Sequence, residues 1–140
     1  MKLKIRTNFD FSKLSNKLDK ILDNYISDYT QDSVEGSKAN IDSGLKDIKL
    51  ITKEIRKKRN QPQSPPLKAS GELYKSIKKV GKSLEIVNYG ILHHVGFITD
   101  SNSMIPNKKV PPRPFLTTTA RNKNKIDKKF MMNINKALKK

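Results

Sequence analysis

Phe11, Leu14, Leu18, Ile21, Leu22, Tyr25, Ile26 and Tyr29 recur at spacings of three, four and seven, which is the period of one face of an α-helix. The spacing predicts a helix over 12–30, roughly 28 Å long and able to lie across the whole fold, with Asp10 or Ser12 as its N-cap. Over 31–43 the pattern fades, and Gly36 among several turn-prone residues predicts a linker. Helical spacing returns at Ile41, Leu45, Ile48, Ile51 and Ile55, with Asp42 or Ser43 as caps. That helix is expected to end near Asn60, because Pro62, Pro65 and Pro66 cannot continue it.

The texture then changes. Ser70-Gly71-Glu72-Leu73 reads as a tight turn or a short helical entry, and 75–80 and 84–88 read as two short strands joined through Gly81-Lys82-Ser83. Ile77, Val80, Leu84 and Ile86 are the expected core positions of this part. Ile91, Leu92 and Val95 fit one or two further helical turns, with Gly96 placed to close them. The stretch 97–112 is too long for an ordinary connection, which predicts a functional or mobile loop. Ile126, Phe130, Ile134, Ala137 and Leu138 predict a last helix. The expected fold is α+β, with long N-terminal helices packed on a small, mainly antiparallel sheet and a C-terminal helix. It reads as a single domain over 1–140: an arm at 1–10, a helical part at 11–60, a small-sheet part at 67–120 and a basic helix or tail at 121–140.

Composition sharpens this picture. Hydrophobic residues make up 34% and charged residues 31% of the 140, so a lean core with long solvated helices is expected. The formal net charge of +17 attracts polyanions and acidic protein surfaces, and residues 121–140 hold eight Lys or Arg against Asp127 alone. Yet only Arg6, Arg56, Arg59, Arg113 and Arg121 are arginines, the residue type best suited to bidentate phosphate and base contacts. The abundance of lysine, asparagine and isoleucine fits a compositional bias as well as a nucleic-acid partner. Lys57, Lys58 and Arg59 complement the dipole at a helix C-terminus without any ligand. The lack of cysteine excludes disulfides and thiolate metal sites. No run approaches the ~18 apolar residues of a membrane span, and the N-terminus lacks the apolar core of a signal peptide. A soluble, intracellular product without membrane contact is expected.

Candidate chemistry is sparse. His93 and His94 are the only histidines, and as neighbours they point in different directions and do not readily chelate one ion. One is expected at the core edge and the other facing a partner. Ser70, Ser76 and Thr117 to Thr119 have no motif supplying a base and an orienting acid, and Gly71 and Gly81 do not frame a phosphate-binding loop. No catalytic residue, metal or cofactor is expected. Pro111-Pro112-Arg113-Pro114-Phe115 has a clearer meaning. Prolines fix φ and remove donors, so the segment is stiff before a partner arrives. Arg113 is then presented at a defined position while Phe115 and Leu116 anchor the chain, although the same stiffness also serves to enter the last helix.

Three blocks together resemble the tailed-phage virion morphogenesis family, the tail-completion and head-tail joining proteins that include the Mu type. Pro66-Leu67-Lys68-Ala69-Ser70-Gly71-Glu72-Leu73-Tyr74-Lys75-Ser76-Ile77 is similar to the family's Leu, two residues, Thr/Ser-Gly, one residue, Leu, two residues, Ser-Ile. Tyr89-Gly90-Ile91-Leu92-His93-His94-Val95-Gly96 is similar to its Tyr-Ala/Gly, two residues, His, two residues, Gly, with His93 and Gly96 at the family positions. Val110-Pro111-Pro112-Arg113-Pro114-Phe115-Leu116 is similar to Ile/Val-Pro, one residue, Arg-Pro-Phe-Leu. Thr52 and Arg56 stand where members often carry a threonine and an arginine, whereas the tryptophan often found before that threonine is absent and the tail is unusually lysine-rich. The resemblance covers 45–120.

It implies a non-enzymatic virion protein, made in the host cytoplasm, that forms a ring at the neck, expected to be a hexamer. Its partners would be copies of itself and neck or tail proteins such as the head-tail adaptor, the tail terminator or the tube, with non-specific contact to packaged duplex DNA. His94, Phe97, Lys108, Lys109 and Arg113 are the expected assembly contacts, together with the 97–112 loop and both chain ends. Ser70, Gly71, Leu73, Ile77, Tyr89, His93, Gly96, Pro114, Phe115 and Leu116 are the expected motif and fold positions. The alternative is a basic nucleic-acid-binding module of ribosomal or nucleoid type.

Overall fold

The computed structural model describes residues 10–103, 105–117 and 120–139. Apart from Asp10, the expected N-terminal arm therefore lies outside the described residues. Asp10 caps helix α1 (Phe11–Ala39), its carboxylate accepting from the Lys13 N–H at 3.1 Å. The helix does not stop at 30 but runs through the stretch expected to be a linker. Hydroxyls that favour turns when exposed are satisfied inside it: Thr30, Ser33 and Ser37 each donate to the carbonyl four residues back. Thr30, Asp32, Val34, Gly36 and Ser37 are all buried there, so tertiary packing overrides a weak local preference.

One π-helical turn (Asn40–Gly44) follows and places Ile41 fully inside the core. Helix α2 (Leu50–Lys58) begins later than the periodicity suggests and has no side-chain cap, so neither Asp42 nor Ser43 starts it. Ile48, just ahead of it, is buried, while Leu50, Ile51 and Ile55 face solvent. Its end combines two backbone bonds, Gln61 N–H to Arg56 O at 2.9 Å and Asn60 N–H to Lys57 O at 3.1 Å. Asn60 takes the left-handed conformation at φ 51° that this closure requires.

The remaining elements are α3 (Glu72–Ser76), β1 (Lys78–Val80), β2 (Ser83–Glu85), α4 (Asn88–Val95), β3 (Phe97–Ile98), β4 (Lys109–Val110) and α5 (Ala120–Leu138). The fold is α+β. Its strands form two separate antiparallel hairpins rather than one sheet, β1 with β2 and β3 with β4. In the first, Val80 stands opposite Ser83, leaving Gly81-Lys82 as a two-residue turn with Gly81 at φ 59°. In the second, Phe97 pairs with Val110 and Ile98 with Lys109. Most of the expected open loop is thus the far end of a hairpin, tied at its base by Thr99, which accepts from the Asn107 and Lys108 N–H groups and donates its own N–H to Lys108 O.

Val80 was an expected core position but is 43% exposed. Side chains alternate along a strand, and Ile77 is fully buried, so the same face continues with Lys79, whose ammonium donates to Ser27 O at 3.1 Å on α1. Val80 falls on the outer face. Thr30 Oγ1 lies 3.0 Å from Lys82 O, and Lys82 pairs with Asp23, which fixes the first hairpin along α1. Helix α5 lies antiparallel to α1: Asp32 late in α1 meets Asn122 early in α5 at 2.6 Å, whereas Tyr25, earlier in α1, meets Asp127 further along α5 through its OH at 3.0 Å, and Lys129 pairs with Asp28 at 2.7 Å. The Tyr25 and Phe130 rings stack between them at 4.5 Å. Among the described residues, no helix is long and apolar enough to cross a membrane.

Val34, Ile41, Leu73, Ile77 and Phe115 form the core cluster, with Leu84 and Ile86 packed against it. They come from three parts of the chain, the end of α1 with the π turn, α3 with the residue after it, and Phe115, which with Leu116 ties the segment ahead of α5 into the cluster. Truncating a buried phenylalanine costs about 3–5 kcal/mol through lost transfer energy and the cavity left behind. Phe115→Ala is expected to lower the urea midpoint by that equivalent at unchanged m-value, read by helical circular dichroism.

Candidate functional site

Helix α4 ends at Gly96 with φ 82° and ψ 157°, a conformation essentially reserved for glycine. A Cβ there would sit 2.8 Å from Pro112 N and 3.0 Å from Val110 O, so the chain leaving α4 crosses directly against the proline segment. Beyond that crossing the segment is stitched on both sides. Arg113 N–H donates to His93 O at 2.9 Å and Leu116 N–H to His94 Nδ1 at 3.3 Å, both on α4. Asn40 Nδ2 donates to Phe115 O, and Thr117 N–H to Ser37 Oγ, both at 3.3 Å and both at the far end of α1. The prolines on either side of Arg113 have no N–H to offer, so the segment is held through the N–H groups of Arg113, Leu116 and Thr117.

The two histidines part company here. His94 is half-buried with its ring edge-on to Phe115 at 5.6 Å, so the residue expected to meet a neighbour packs inward instead of standing clear. His93 lies between Tyr89 at 6.2 Å and Phe97 at 5.3 Å, edge-on to both. Its Nδ1 is buried and has no hydrogen-bond partner among the described residues. Burial, with the positive charge of Arg113 adding to it, holds the His93 imidazole below the ordinary histidine pKa.

The Ser-Gly block approaches from the other side. Gly71 enters α3 at φ 75°, Ser70 Oγ accepts from the Glu72 N–H at 3.3 Å, and Leu73 and Ile77 are buried. Tyr89 OH donates to Glu72 Oε2 at 3.1 Å, which joins this block to the histidine block. Gly90 permits the contact, since a Cβ at that position would come within 2.6 Å of both Leu73 Cδ1 and Ile86 Cδ1.

Between α2, the strand-like approach to α3, α4 and the proline segment there is a cavity of about 290 Å³. Ser70 and Leu73 of the first block, Tyr89 and His93 of the second, and Val110 and Arg113 of the third all line it, as do Thr52 and Arg56 from α2. Arg56 Nη1 donates to Pro62 O and Pro65 O at 3.2 Å each. Burial and then the Arg113 charge pull the Arg56 guanidinium below its usual pKa, with Asp47 opposing. Phe97 is half-buried against His93, whereas Lys108, Lys109 and Pro114 are exposed and stand outside the cavity.

Ile48, Leu67 and Ala69 complete the walls. Their apolar character reads simply as core in the sequence, and nothing there marks them as lining. A further cluster also escaped it: Asp42 accepts from Tyr74 OH at 3.0 Å and Lys68 Nζ at 2.7 Å, and Lys68 lies 4.0 Å over the Tyr74 ring. Among the described residues there is no group of three histidine or acidic side chains that could hold a metal ion. Comparison with known proteins finds no matching family model, no matching curated protein and no matching solved structure.

The depressed pKa of His93 has a defined sign for stability. The unfolded chain takes up its proton near pH 6.5, the folded chain only lower, so stability falls as pH drops below about 6.5. The carboxylates lowered by their partners, Asp42, Asp47 and Asp100, act in a separate window, where stability is lost below about pH 4. Urea titrations at about pH 7 and pH 5 are expected to show a smaller difference for His93→Gln than for the wild type. An undiminished difference would assign the loss to another group.

Proposed function

We propose that the chain is a structural protein of a tailed-phage virion, a tail-completion or neck component that assembles with copies of itself into a ring joining tail to head. The observation that carries this reading is the surface left uncovered. The chain exposes 10,881 Å², whereas a compact monomer of 16.0 kDa exposes about 7,400 Å². Granting the 13 undescribed residues the full surface of extended chain removes about 2,100 Å², and the remainder still exceeds that of a compact chain.

Much of the excess is apolar. Leu50, Ile51 and Ile55 are exposed on α2, and Ile91, Leu92 and Val95 on α4, followed by Ile98 on β3. Contiguous apolar surface of this kind marks association. Copies carrying +17 each repel one another, so burial of apolar area has to supply the attraction. Two different faces suit a head-to-tail contact, which closes into a ring when the rotation allows. The share of about 800 Å² that each partner contributes to a standard interface fits within the excess. The three sequence blocks gathered around one cavity agree with the family resemblance, a hexamer is the expected closure, and the other partners are neck and tail proteins.

One observation favours the second reading, a nucleic-acid-binding module. Lys123, Lys125, Lys128 and Lys136 of α5, and Lys139 just after it, are exposed, and none has an ion-pair partner among the described residues, in contrast to Lys129. Such a basic face also suits a ring whose channel passes DNA.

Mass photometry and negative-stain microscopy of the purified chain separate the two. Ring particles with masses at a whole multiple of 16.0 kDa are expected, with Ile91→Glu shifting them to monomer at the same concentration. A wild-type chain that stays monomeric, alone and with tail tubes, and binds duplex DNA with a steep salt dependence would instead establish the second reading.

A further inference from the structure

We propose that the cavity between α2 and α4 is a binding site for a carboxylate carried on an apolar body, such as an acidic side chain flanked by hydrophobic residues on a partner protein. Two guanidiniums, Arg56 and Arg113, line it together, close enough that the Arg113 charge acts on Arg56. Like charges brought together at a partly desolvated wall are unfavourable unless an anion is supplied.

The protein does not supply one at contact distance. Asp47 is the nearest acid to act on either arginine, but it pairs with Lys53 and accepts from the Ile48 N–H at 2.8 Å. Among the described residues, no carboxylate is in ion-pair contact with either guanidinium. Arg56 uses one terminal nitrogen on Pro62 O and Pro65 O, and Arg113 has its backbone fixed by His93 O, while its planar fork has no hydrogen-bond partner among the described residues. Ser70 and Thr52 place hydroxyls on the same walls, and His93 brings a buried nitrogen without a partner.

The rest of the lining decides what kind of anion fits. Ile48, Leu67, Leu73 and Val110 are aliphatic, and a fully hydrated phosphate gains nothing from them. A carboxylate attached to hydrocarbon meets both halves of the cavity, with the Arg113 fork matching its two oxygens. The volume of about 290 Å³ is at the small end for ligand pockets and suits one side chain or a small aromatic acid rather than a nucleotide.

The test uses sodium benzoate as probe, benzamide as its neutral isostere and inorganic phosphate as the competing oxyanion, each titrated into the full isotope-labelled chain by two-dimensional NMR. Benzoate is expected to shift the amides of Ser70, His93 and Arg113 saturably, benzamide to leave them unmoved, and phosphate to bind more weakly than benzoate. Arg113→Gln is expected to weaken benzoate by about tenfold or more, with helical circular dichroism unchanged. Should that variant unfold, Arg113→Lys, which keeps the charge but not the fork, is expected to retain the fold and lose part of the affinity. No saturable shift with benzoate, equal shifts with benzamide, or phosphate binding at least as tightly as benzoate would each overturn the proposal. The readout needs no oligomer, so its failure is distinct from failure of the ring reading.

Discussion

A Cβ at position 96 would stand 3.0 Å from Val110 O and closer still to Pro112 N, so there is no room for a side chain there, and most of the molecule's small-sheet part is arranged around that crossing. It sets where α4 stops and brings the proline segment under the helix. From there it delivers Phe115 into the core, between the end of α1 and the Leu73–Ile77 side. The hydrogen bonds on either flank of Arg113 then have fixed partners. Loss of the crossing would release Phe115 and the cavity wall together, because the same five residues carry both.

The core these contacts complete is small. Five side chains from three parts of the chain make it, and the polar ties around it are mostly single hydrogen bonds, each worth about 0.5–1.5 kcal/mol net. A protein so built relies on every anchor, which accounts for a glycine at each close approach: Gly90 against Leu73 and Ile86, Gly96 against Pro112. Apolar surface that this core cannot cover stays outside on α2 and α4.

Much of this was legible in the sequence because it rests on local rules. The apolar spacing of α1 and α5, a hairpin connection beginning at Gly81, the glycine closing α4 and the anchoring role of Phe115 all follow from periodicity or from backbone chemistry, although Ser83, read as part of that connection, belongs to β2. What was not legible depends on distant partners. Gly36 and Ser37 read as linker, since the packing that buries them, and the Thr117 N–H that reaches Ser37, come from distant parts of the chain. Val80 was placed inside because β1 was read without knowing that Lys79 would reach Ser27. The 97–112 hairpin has only two residue pairs, too few to leave a period-two signal. The candidate cavity was half visible. Its motif residues were named, but that Thr52 and Arg56 join them is a consequence of how α2 folds back, which no local pattern encodes.

The pairing of α1 with α5 has a consequence for the order in which the molecule opens. Its rungs are a tyrosine hydroxyl on a carboxylate, an amide on a carboxylate, one exposed ion pair and one ring contact, and α5 contributes only Ala137 to the buried hydrophobic residues. Exposed ion pairs contribute about 0–1 kcal/mol and an aromatic pair about 0.5–1.5 kcal/mol, well short of what holds a core segment. Helix α5 is therefore expected to open more readily than the Phe115 core, its amides exchanging with solvent while those around Phe115 stay protected.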